Sequence, residues 1–127
     1  MDFCDLRYNI DVVQTSFELL IYATASGKEP FNDWLDSLDR SLRVRVESRI
    51  NRLMVMGHAG NAKALKDGLF ELKWKNPPFR VYYSLVGKQI ILLISAGDKS
   101  KQTDDIKKAK EYLADYRSRY GIKKTDT

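Results

Sequence analysis

Five polar residues on two successive β-patterned segments are of types that can handle a phosphate: Glu71, Lys73 and Lys75 in the first, Arg80 and Tyr82 in the second. An apolar stretch follows and ends in Gly97-Asp98-Lys99-Ser100-Lys101-Gln102. Metal-free RNA cleavage requires the 2′-hydroxyl to lose a proton, the phosphorane charge to be stabilised and the leaving 5′-oxygen to be protonated. Arg80 is the candidate for the scissile phosphate, because its planar donors match phosphate oxygens. Lys73 and Lys99 would add positive charge. Tyr82 suits either proton transfer or stacking on a base, and Asp98 or Glu71 either acts as a base or orients the cations. Arg45, Arg49 and Arg52, with Lys75, Lys101 and Gln102, are candidates for a second, RNA-binding set, although three arginines on one helix flank are more often simply solvated.

The elements that must position these residues follow from periodicity. Phe17 to Thr24 reads as a first strand, bounded by Ser26-Gly27. Pro30 fits the first turn of a helix carrying Phe31, Trp34, Leu35 and Leu38. A second helix starts near Asp39 or Ser41 and buries Leu42, Val46, Ile50 and Leu53, with the three arginines on the flank of that stripe. Glycines around His58 end it. Leu69 to Lys75 and Phe79 to Leu85 alternate between apolar and polar residues, so each has one buried and one polar face. Asn76-Pro77-Pro78 makes the turn of an antiparallel hairpin. Ile90 to Ile94 is continuously apolar, as in an inner strand covered on both faces. A last helix from about Thr103 buries Ile106, Ala109, Leu113 and Tyr116. The expected fold is α+β, in the order β-α-α-β-β-β-α, with a small, mainly antiparallel sheet.

The chain has 127 residues, 43% of them hydrophobic, which suits one compact domain. Residues 17–120 would form it, 121–127 a flexible tail, and 1–16 an N-terminal extension, either a disordered arm or an added strand. No apolar run approaches the ~20 residues of a membrane span, and the N-terminus lacks a signal peptide's pattern, so a cytoplasmic protein without membrane contact is expected. One cysteine and one histidine argue against disulfides and structural zinc, and no metal or other cofactor is expected. The net charge of +5 favours a polyanionic partner without establishing one.

Gly27-Lys28-Glu29-Pro30-Phe31 with Trp34-Leu35, Asp67-Gly68-Leu69-Phe70-Glu71-Leu72-Lys73, Phe79-Arg80-Val81-Tyr82-Tyr83, and Gly97 to Gln102 with Asp105-Ile106 and Ala109-Lys110 occur in one order. In these motifs the chain resembles the phage-derived, HigB-like addiction-module killer proteins of the RelE and ParE toxin superfamily. The resemblance covers about Phe17 to Tyr116. It implies a RelE-like single domain acting as a type II toxin, a ribosome-dependent mRNA endonuclease that inhibits translation. It also implies a cognate antitoxin, often a helix-turn-helix protein, with operator DNA bound only through the complex of the two. The chain departs from the pattern in having Lys73 for an arginine, Asn76-Pro77-Pro78 for a glycine-rich turn and Phe79 for a tyrosine. Lysine keeps the charge but loses the bidentate fork. Lacking a histidine pair, such a nuclease needs strongly shifted pKa values or alignment by the ribosome.

Each feature also has a plain structural explanation. Alternating charge on a strand is commonly a solvated face, Arg80 and Tyr82 can form a cation and ring pair, and Asp98-Lys99 can be a simple turn. A ParE-like binding module that poisons DNA gyrase through protein contacts is the alternative of a different class. It would depend more on its helices and tail than on Arg80 and Tyr82.

Overall fold

The structure, a computed structural model, describes residues 17–56 and 62–122. The expected N-terminal extension, the His58 loop and the end of the expected tail lie outside these residues. Within them the chain runs β1 (Glu18–Ile21), α1 (Pro30–Asp36), α2 (Arg40–Met56), β2 (Ala62–Ala64), β3 (Leu69–Lys73), β4 (Phe79–Val86), β5 (Ile90–Asp98) and α3 (Gln102–Tyr120). Short 3-10 turns at Lys66–Gly68 and Lys99–Lys101 precede β3 and α3. The α+β expectation holds, with one short strand, β2, added at the sheet edge. Its three residues, Ala-Lys-Ala, carry too little hydrophobic alternation to be recognised in sequence. No described helix is long and apolar enough to cross a membrane.

The five strands lie in the order β1-β5-β4-β3-β2, antiparallel except for the β1–β5 pair. Helices α1 and α2 cover one face. Phe31, Val46, Ile50 and Leu53 pack there against Leu72, Trp74, Phe79, Val81, Tyr83, Ile91 and Leu93. Helix α3 covers the other face, where Ala109 and Leu113 meet Leu69, Tyr82, Leu92 and Ile94, joined by Tyr22 from just beyond β1. The continuous apolar run of β5 thus serves both layers, as a strand covered on both faces must.

Local chemistry sets the boundaries. The Asp39 carboxylate accepts the Leu42 amide at 2.9 Å and caps α2. Asp67 (φ 68°) and Gly68 (φ 83°) take two successive left-handed conformations that turn the chain into β3. Aspartate and glycine are suited to that region, which accounts for this pair in the sequence motif. A bulge in β5 shifts the register between Tyr82 and Tyr83, so that Tyr82 faces Ser95 while Tyr83 faces Leu93. The extra residue, Ile94, reverses the alternation of β5 and brings Ser95 and Gly97 to the α3 side.

Leu113 is 1% exposed in the α3 layer, whereas Val44 on α2 is 41% exposed. Leu113→Ala is expected to destabilise the protein by about 2–5 kcal/mol in urea unfolding, and Val44→Ala by about 0.5 kcal/mol or less. Equal effects would contradict a core beneath α3.

Candidate functional site

Cross-strand register assembles the predicted polar face: Glu71 lies opposite Tyr82, Lys73 opposite Arg80, and Arg80 opposite Gly97. The expectation that this face is solvated is corrected by α3, which lies over it. Glu71 is 2% exposed, Arg80 8% and Tyr82 0%. Glu71 Oε2 accepts Gln102 Nε2 at 2.8 Å from the first residue of α3 and stands 3.9 Å from Arg80 Nε. Arg80 Nη1 donates to the carbonyls of Phe79 at 3.1 Å and Trp74 at 3.3 Å. The guanidinium is therefore anchored by two backbone oxygens and one carboxylate. The Tyr82 hydroxyl is sealed beside Glu71 without meeting hydrogen-bond geometry. Burial, followed by the charges of Glu71 and Asp105, raises its pKa far above the ordinary phenol value, so it keeps its proton.

The other candidates are exposed: Lys73 at the end of β3 and Lys75 just after it, Asp98 at the end of β5 and Lys99 and Lys101 just after it. Asp98 holds the turn into α3 together. Its carboxylate accepts the Ser100 amide at 2.9 Å and the Ser100 hydroxyl, which hold its pKa below the usual carboxylate range. A carboxylate so occupied is a poor general base. Lys99 is tied to the hairpin turn through its backbone, its amide donating to the Pro78 carbonyl at 2.9 Å. Gln102, predicted to contact RNA, is half-buried and turned inward to Glu71.

The arginine flank of α2 divides in a way that helical spacing does not reveal. Arg45 Nη2 donates to the Asn76 carbonyl at 2.8 Å, and Arg49 donates to the Lys73 carbonyl while its guanidinium lies 4.5 Å from the Trp74 ring centre. These two arginines clamp the Asn76-Pro77-Pro78 turn from the α2 side, and Lys99 holds it from the other. Burial lowers the Arg49 pKa, with Arg52 adding repulsion. Arg52 is exposed. A sequence signal for the clamp existed in the carbonyls that a proline turn leaves without ladder partners, but it does not name the donor.

Sequence reasoning also missed Asp105 and Ser95. A Cβ on Gly97 would lie 2.1 Å from Asp105 Oδ2, so this glycine is what lets the α3 carboxylate rest on β5. Ser95 Oγ is buried without a hydrogen-bond partner.

The division of the arginines is open to measurement. Arg49→Ala, which loses both a hydrogen bond and a cation–π contact, is expected to cost about 1–3 kcal/mol of stability in thermal or urea unfolding. Arg52→Ala should change it by about 0.5 kcal/mol or less. Indistinguishable variants would contradict the clamp.

Known proteins share both the sequence pattern and the architecture. Residues 33–118, more than half of the chain, match the family model described as phage-derived protein Gp49-like. An uncharacterised protein of Haemophilus influenzae is 39% identical over 83 residues, which span 63% of this chain and 82% of that protein. The solved structure of a double arginine-to-alanine mutant of the E. coli toxin RelE, in the free state, superposes with a TM-score of 0.51 at 13% identity, covering 82% of this chain and 97% of that one. The superposition shows a shared fold, as the sequence motifs led one to expect. The chain belongs to the Gp49-like family of phage-derived proteins, and it shares its fold with the E. coli toxin RelE.

Proposed function

We propose that this protein is the toxin of a type II toxin–antitoxin pair and that it arrests translation as a ribosome-dependent mRNA endonuclease, cleaving RNA without a metal ion. Arg80 carries the reading. Its guanidinium is fixed by Phe79, Trp74 and Glu71 at the end of the sheet where Lys73 lies across the ladder and Lys99 follows β5. A preorganised cation flanked by exposed lysines suits a phosphorane whose charge develops in the transition state. In this reading Arg80 binds the scissile phosphate, and Lys73 and Lys99 stabilise its charge. Lys75, Lys101 and Arg52 hold the RNA backbone. Tyr82 positions Arg80 from behind rather than exchanging a proton, and the ribosomal A site supplies the remaining alignment. A helix-turn-helix antitoxin neutralises the protein and carries the complex to operator DNA. The site of action is the cytoplasm.

A second reading, a gyrase poison without nuclease activity, is favoured by one observation: Glu71 compensates the charge of Arg80, and Tyr82 presents no surface.

The two readings separate when mRNA 5′ ends are mapped after induction beside an assay of gyrase supercoiling. Codon-spaced cuts confined to translated messages are expected. Intact mRNA with gyrase-linked DNA breaks would establish the second reading instead. Because Arg80 is buried against a carboxylate, Arg80→Ala will also destabilise the protein. The exposed double variant Lys73→Ala, Lys99→Ala is therefore the cleaner probe. It should keep its melting temperature while cleavage falls ~10²-fold, and undiminished cleavage would overturn the site.

A further inference from the structure

Strand β1 ends at Ile21, and the Tyr22 amide donates to the Leu93 carbonyl as the last rung, so among the described residues no strand pairs with the outer edge of β5 beyond Leu93. A cleft of about 210 Å³ opens there between α1 and α3. Ser95 lines it, 8% exposed, with its hydroxyl lacking any hydrogen-bond partner. Asp105 lines it too, its carboxylate seated on Gly97. Burial and the neighbouring Asp98 push that carboxyl above its usual range, against the opposing charges of Lys101 and Lys108. Tyr112 forms an aromatic wall, its ring 5.1 Å from that of Tyr22, and Lys28, Lys108 and Asp33 complete the lining.

We propose that this cleft is a nucleobase subsite that takes guanine from the RNA. The proposal rests on the reading of RNA as substrate. The volume admits one base and leaves sugar and phosphate outside. A carboxylate accepts the adjacent N1–H and N2–H donors of guanine as a bidentate pair, whereas adenine and cytosine place an acceptor beside their amino group and uracil has no amino group. A rotation of the Ser95 side chain brings its buried Oγ to donate to guanine O6, Tyr112 contacts the base plane, and Lys28 and Lys108 meet the phosphate. Through the ladder Ser95 lies opposite Tyr82 and Gly97 opposite Arg80, so the subsite adjoins the phosphate site.

The test titrates the full chain with the four nucleoside 5′-monophosphates and follows backbone amide shifts. Guanosine monophosphate is expected to bind at least about tenfold tighter than the cytidine compound, with shifts at Ser95, Asp105 and Tyr112. Asp105→Asn should erase that preference. Lys108→Glu should weaken the monophosphate but not guanosine itself, and this exposed change does not threaten the fold. Equal binding of all four, no binding at millimolar concentration, shifts confined to other elements, or an unaltered preference in Asp105→Asn would overturn the proposal. Base preference without RNA cleavage would refute only the nuclease reading, and RNA cleavage without base preference only the subsite.

Discussion

A carboxylate that is 2% exposed in the middle of a sheet sets the terms for the elements around it. Glu71 cannot be buried without donors, because an uncompensated charge in a low-dielectric interior costs several kcal/mol. Its compensation comes from the next strand, through Arg80, and from the start of α3, through Gln102. The same residue therefore fixes the β3–β4 register and the point at which the last helix meets the sheet. A slip of one residue would turn Arg80 away from Glu71 and move every apolar side chain of β4 to the wrong layer. Arg80 in turn closes the hairpin by bonding carbonyls on both sides of the turn.

This network also decides which polar groups remain for chemistry. The residues nearest Glu71 are held rigidly and hidden, while the lysines around them are exposed. Lys73, Lys75, Lys99 and Lys101 are exposed at this end of the sheet, where Arg80 keeps 8% of its surface exposed. The hairpin turn there is clamped from both layers, by Arg45 and Arg49 on one side and the Lys99 backbone on the other. In the proposed nuclease, support of this kind would keep charged groups within the narrow tolerance that transition-state stabilisation requires.

Much of the fold was legible because its signals are local. The alternation of Leu69–Lys75 and Phe79–Leu85, the helical spacing of Leu42, Val46, Ile50 and Leu53, and the Asp39 cap each reflect a rule that operates within a few residues. The candidate site was legible only in part. Alternation placed Glu71, Arg80 and Tyr82 on one face but could not say that α3 lies over it, since covering is a tertiary fact. The Ile94 bulge was hidden inside an apolar run, where a reversal of parity leaves no trace until Ser95. Arg45 and Arg49 looked like a solvated or RNA-facing flank because their partners are backbone carbonyls about thirty and twenty-four residues away.

The central claim is that Glu71 and Arg80 stabilise one another as a buried pair on which β3, β4 and α3 converge. A double-mutant cycle on unfolding free energy with Glu71→Gln and Arg80→Met measures this directly. The account predicts that Arg80→Met alone costs about 3–5 kcal/mol by leaving the carboxylate uncompensated. It also predicts that the double variant recovers part of that loss, with a coupling energy above about 1 kcal/mol. Additive losses, within about 0.5 kcal/mol, would contradict it.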